Sequence, residues 1–83
     1  MTDQTHEIYK GFEVTTGQYL NYENCIFYEI RKDGVLVFDT MWLDMYFWKT
    51  HEEAYEQAKR DIDERGHLGA DPTKWMQSKE IGL

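Results

Sequence analysis

The residues of this chain whose types could do chemistry are three histidines, one cysteine and two carboxylates set among apolar neighbours. His6, His51 and His67 are far apart and carry no metal-ligand spacing. His51 heads a helical segment, where the helix dipole disfavours a second positive charge. The histidines therefore read as surface or capping residues. Cys25 has no partner cysteine, so no internal disulfide forms. With no histidine nearby in sequence, it reads as a small buried apolar residue of a strand rather than a nucleophile. Asp39 and Asp44 are the two candidates for a catalytic acid, which would need a pocket to shift its pKa. Either one serves equally well to end a strand or begin a turn. No P-loop, GxGxxG or GxSxG pattern occurs. The expectation is a protein that is not an enzyme, with no catalytic residue, metal or cofactor.

Binding chemistry has better candidates. Met41-Trp-Leu-Asp-Met-Tyr-Phe-Trp48 sets four aromatics and three aliphatic or thioether side chains in eight residues. Side chains alternate faces along a strand, so eight such residues cannot all point inward. One reading has Trp42, Phe47 and Trp48 roofing the sheet as core. The other leaves Met41, Trp42, Met45 and Tyr46 exposed as an interface or dimer patch, since Trp and Tyr are favoured anchors. Just downstream, Glu52, Glu56 and Asp63 recur at helical spacing. Such a row is a solvated face by default. It could also imitate nucleic-acid phosphates and occupy a groove meant for them. The candidate partner-binding set is Glu52, Glu56, Asp63, Trp42, Met45 and Tyr46.

Composition narrows the partner. Sixteen acids against nine bases give a net charge of −7. Direct nucleic-acid binding needs a basic footprint, so it is disfavoured, and anionic membrane surfaces are disfavoured with it. A basic protein or nucleoprotein complex fits this charge. Mean hydropathy is −0.76, and no apolar run is long enough to span a bilayer. The N-terminus lacks a basic start and an apolar stretch, so no signal peptide is expected and the cytoplasm, bacterial or of a host cell, is the expected location. Eighty-three residues make one domain, 1–83, with a thin core. Aromatics at 16% help to fill that core. Homodimerisation would add more.

The elements that position these residues follow from periodicity. Glu7 to Thr16 alternates, with Ile8, Phe12 and Val14 on one face and Tyr9, Gly11 and Glu13 on the other; it reads as one strand. Gly17 to Asn24 is a long connection. Cys25 to Lys32 alternates again, and Asp33-Gly34 signals a hairpin. A two-residue turn would pair Ile30 with Val37. A three-residue turn, Lys32-Asp33-Gly34, pairs Ile30 with Leu36. The second is preferred, because it gathers Ile26, Tyr28, Ile30, Leu36 and Phe38 on one face and leaves Glu29, Arg31, Val35, Val37 and Asp39 on the other. The third strand runs from Val35 to Thr40 or Trp42. Thr50-His-Glu-Glu53 is a capping box opening a helix that runs to Arg65, with Gly66 past its end. Ala54, Tyr55, Ala58 and Ile62 form its apolar stripe. Glu52, Glu53, Glu56, Asp61, Asp63 and Glu64 are assigned to the opposite half. Asp71-Pro72 caps a short second helix, Pro72 to about Lys79, presenting Trp75 and Met76. The expected fold is α+β: three antiparallel strands, one main helix across the sheet and a short C-terminal helix.

The motifs Tyr9-Lys-Gly-Phe12, Ile30-Arg-Lys-Asp-Gly34 and Glu52-Glu-Ala54 resemble a loose pattern in small uncharacterised bacterial and phage-borne proteins. The resemblance covers about residues 8–65 and carries no activity. In style (tiny, acidic, aromatic) the chain also resembles phage anti-CRISPR and other anti-defence inhibitors. That resemblance implies a non-enzymatic inhibitor occluding a basic nucleic-acid-handling host complex. The alternatives are a homodimeric bacterial housekeeping domain and a small enzyme using Asp39 or Asp44.

Overall fold

A computed structural model of the chain describes residues 4–19, 24–45 and 48–81, the last four by backbone alone. The fold is α+β, but the antiparallel sheet has four strands, in the order β1 (Gln4–Tyr9), β2 (Phe12–Gln18), β3 (Ile26–Lys32) and β4 (Val35–Asp39). The segment expected to be one strand, Glu7–Thr16, folds back on itself at Lys10-Gly11. Both turn residues have positive φ, 51° and 83°, and Tyr9 pairs with Phe12. That two-residue turn suits the right-handed twist of its strands. It also reverses the parity of the residues before it. Ile8 no longer shares a face with Phe12 and Val14 and stands 69% exposed. Tyr9 turns inward instead and reaches the main helix.

The second hairpin corrects the register as well. Asp33 and Gly34 form a two-residue turn with φ of 53° and 80°, pairing Lys32 with Val35 and Arg31 with Leu36. The three-residue turn, with Ile30 opposite Leu36, does not form. A β-bulge between Ile30 and Arg31 then sets Ile30 opposite Phe38. The added residue lets two consecutive side chains, Val37 and Phe38, both be buried. Val37 thus belongs to the core, and Leu36 is half-buried. Gly34→Val is expected to cost ~1–3 kcal/mol, purely from backbone strain, since nothing lies within 4 Å of an added Cβ. A thermal melt at the wild-type temperature would contradict the turn.

β4 ends at Asp39, short of the expected Thr40 or Trp42, because the Thr40 hydroxyl takes over the next rung. It accepts from the Tyr28 N–H at 3.2 Å and donates to the Tyr28 carbonyl at 3.3 Å. A single 3-10 turn, Thr40–Leu43, follows. The chain then returns to the start of β3, where the Ile26 N–H donates to the Trp48 carbonyl at 2.9 Å.

The main helix, α1 (His51–Arg65), begins as expected. The Thr50 hydroxyl accepts from the Glu53 N–H at 3.1 Å, and the Glu53 carboxylate reaches back to the Lys49 N–H at 3.2 Å. Gly66 is right-handed and continues into a 3-10 turn; the left-handed glycine that ends this stretch is Gly69, φ 69°. The second helix, α2 (Pro72–Ile81), starts where the Asp71 carboxylate accepts from the N–H groups of Thr73 and Lys74. Ala54, Ala58 and Ile62 of α1 and Trp75 of α2 bury themselves against Phe12, Val14, Ile26, Tyr28 and Ile30 of the sheet.

Candidate partner-binding surface

Glu52 and Glu56 stand one turn apart on the exposed side of α1. Two grooves flank them. One, of about 290 Å³, is lined by Trp48, Glu52, Glu53, Glu56, Gln57 and Arg60. The other, of about 410 Å³, lies between α1 and β1 and is lined by Thr5, Glu7, His51, Glu52, Tyr55 and Glu56. Both have acidic walls and one aromatic side chain. Lys59 pairs with Glu56 at 2.7 Å and lies over the Tyr55 ring at 5.0 Å from its centroid. The hydrogen bond that Lys59 donates to the Glu56 carboxylate raises the Lys59 pKa, opposed by desolvation.

Asp63 lies on the same face but is engaged within the fold. Its carboxylate accepts from Lys10 Nζ at 2.6 Å and from the Tyr9 hydroxyl at 3.0 Å, tying the first turn to the end of α1. The Lys10 hydrogen bond, then that of Tyr9, holds the carboxyl below its ordinary pKa. A depressed pKa means that the tie contributes above the unfolded-state pKa and is lost as pH falls through the folded value. A carboxyl NMR titration should show the Asp63 midpoint below the ordinary aspartate value. Lys10→Ala should move it back up. An unshifted wild-type midpoint would contradict the tie.

The aromatic candidates lie elsewhere. Trp42 is 44% exposed and meets Phe38 edge-on, with ring centroids 6.3 Å apart. Met41 and Met45 are half-buried. Tyr46 and Phe47 lie outside the described residues. Trp42 therefore stands beside β4, whereas Asp63 touches β1 and its turn, at the opposite edge of the sheet. Three strand spacings separate those edges, about 14 Å. The structure groups Glu52 and Glu56 and sets Trp42 apart from them. Trp48 packs inward on Tyr28, centroids 5.1 Å apart, and also lines the first groove.

The residues with catalytic or ligating potential have structural neighbours. The Asp39 carboxylate accepts from the Met41 N–H at 2.8 Å and caps the 3-10 turn; burial raises its pKa, opposed by that bond and by Arg31. Asp44 closes the same turn in a left-handed conformation, φ 54°. The His6 ring meets Thr15 at 3.1 Å and Glu13 at 3.4 Å, and His51 Nδ1 meets the Thr16 hydroxyl at 2.6 Å. His67 is exposed in the turn after α1. Cys25 is half-buried just ahead of β3. Among the described residues, no group of three or more His, Cys, Asp or Glu could hold a metal ion.

One buried polar cluster contradicts the sequence reading. Asp61, assigned to the exposed half of α1, is 2% exposed. It accepts hydrogen bonds from the Tyr28 hydroxyl, from Arg65 Nη1 at 3.3 Å and from Gln57 Nε2 at 3.4 Å. Burial, then the Asp61 charge, pushes the Tyr28 phenol far above its ordinary range. The 3.6-residue period places Arg65 between Ala54 and Ala58 on the wheel and Asp61 next to Ala54, about 20° outside the stripe, the signal that could have found them.

Comparison with protein-family models, with curated proteins and with solved structures gave no match. Among the described residues, no helix is long and apolar enough to cross a membrane.

Proposed function

We propose that this chain is a non-enzymatic binding protein whose acidic α1 face engages a basic, nucleic-acid-handling partner and blocks its nucleic-acid site. The observation that carries this reading is the pair of exposed carboxylates, Glu52 and Glu56, flanked on both sides by grooves with acidic walls. Carboxylates one helical turn apart, about 6 Å, form a row of negative charge, the feature that basic nucleic-acid sites recognise in a phosphate backbone. The net charge of −7 would steer a basic partner toward this face. Trp42, at the far edge of the sheet, belongs to this contact only if the partner wraps the molecule. An inhibitor of a host defence complex, of the anti-CRISPR or anti-restriction kind, is one form of this function.

The test is competition. Immobilised chain is exposed to a bacterial lysate at low salt, and retained proteins are challenged with duplex DNA and with RNA. Nucleic-acid-handling proteins that elute with nucleic acid are the expected result. Retained proteins that nucleic acid leaves in place would overturn the blocking role.

A further inference from the structure

The sheet has two edge strands, β1 and β4, and the carboxylates of the α1 face lie beside β1. β1 ends the strand order, and among the described residues it pairs with β2 alone. The two-residue turn dictates which backbone groups face outward. Tyr9 and Phe12 flank the turn and exchange both hydrogen bonds, so bonding alternates to the pairs Glu7–Val14 and Thr5–Thr16. The N–H and C=O groups of Gln4, His6 and Ile8 therefore point away from β2, toward the open side. An edge of this kind is a template for a further strand.

The helix runs alongside that edge. Thr5 and Glu7 share a groove with His51, Glu52, Tyr55 and Glu56, whereas Tyr9, further along β1, meets Asp63, further along α1. A strand added at β1 would send every second side chain toward α1. Those side chains repeat at about 6.6 Å, against about 6 Å for Glu52 and Glu56 along the helix. We infer that β1 is a docking edge for an extended basic segment of a partner, whose alternate lysine or arginine side chains enter the groove of Glu7, Glu52 and Glu56. Charge selects this occupant. A second copy pairing through its own β1 would bring two sets of these carboxylates together, and like charges across a ladder are destabilising. Among the described residues, Glu7 and Glu52 form no ion pair, so their charge is offered to the incoming strand. Backbone bonds would supply affinity and the alternate charges specificity. The inference rests on the basic-partner reading for the charge of the partner, and not for the mode of contact.

The probe is a labelled, end-capped hexapeptide alternating lysine and threonine, followed by fluorescence anisotropy and amide exchange. Binding is expected, with slowed exchange at the His6 and Ile8 amides. Two N-methylated forms separate strand addition from simple charge attraction. Methylation of the threonine nitrogens, which face His6 and Ile8 in an antiparallel pairing, should weaken binding about tenfold or more, and methylation of the lysine nitrogens should spare it. Sensitivity confined to either set supports docking at the edge. Ile8→Pro removes an outward N–H without breaking a bond to β2, and edge strands tolerate proline; the same loss is expected there. Equal binding by all three peptides, no binding, or an edge-paired dimer of the chain in sedimentation would overturn the inference. None of these results touches nucleic-acid competition in the lysate, so the two readings fail separately.

Discussion

Replacing Asp61 with alanine is expected to destabilise the fold by about 3–5 kcal/mol, because the substitution breaks a buried ion pair and removes the acceptor of a buried phenol. Asp61 is the shared acceptor for Tyr28, Arg65 and Gln57 beneath α1. The Arg65 side chain is only 14% exposed, and its guanidinium would lose its buried carboxylate, keeping the exposed Glu64 at 3.1 Å. The Tyr28 hydroxyl, buried in the same place, would lose its acceptor too. A domain of this size is held by roughly 4–12 kcal/mol in total. The variant should therefore be partly unfolded near physiological temperature. Asp61→Asn keeps an acceptor for the phenol and should cost less. If the broken ion pair is the cause, Arg65→Met added to Asp61→Ala should recover part of the loss. Urea midpoints for the three variants check this, and a wild-type midpoint for Asp61→Ala would contradict it.

Trp75→Ala is expected to cost a similar ~3–5 kcal/mol. The indole is 1% exposed, packs on Phe12 with centroids 5.8 Å apart, and donates its N–H to the Gly69 carbonyl at 2.9 Å. One side chain thus anchors α2 to the sheet and to the turn before it. Loss should appear as a lower melting temperature and as faster amide exchange across Pro72–Ile81. Trp42→Ala, at a half-exposed ring, should melt within about 1–2 kcal/mol of wild type, in keeping with its partial burial. Equal losses for the two tryptophans would contradict their assigned places.

The parts of this fold written in local chemistry were legible in the sequence. Thr50 with Glu53, Asp71 with Pro72, and the Ala54–Ala58–Ile62 stripe act over a few residues and need no tertiary context. Other features depend on partners remote in sequence. The Lys10-Gly11 turn sits inside an apolar alternation that also fits an unbroken strand, and an unbroken strand puts Ile8 on the wrong face. The bulge at Ile30 and Arg31 answers to core volume, which let Val37 and Phe38 enter together. Asp61 is charged, and its place on the wheel borders the apolar stripe beside Ala54, so chemical type alone misplaces it. The candidate binding residues are neighbours along the chain more than in space. In space, Glu52 and Glu56 remain together, Asp63 is tied to Lys10, and Trp42 lies across the sheet.

The acidic α1 face is the centre of this account, and charge reversal with Glu52→Lys and Glu56→Lys tests it most directly. Glu53 is left in place because it closes the helix cap at Lys49, and Asp63 because it holds Lys10. The two exchanges should cost the fold less than about 2 kcal/mol, from the helix dipole and from repulsion by Lys59. The double variant should keep a near-native melt and lose its affinity for the partner captured with the wild-type chain. The wild-type association rate should also fall as salt rises. A double variant that binds that partner at low salt as tightly as the wild type would contradict the account and leave the acidic face as solvated surface.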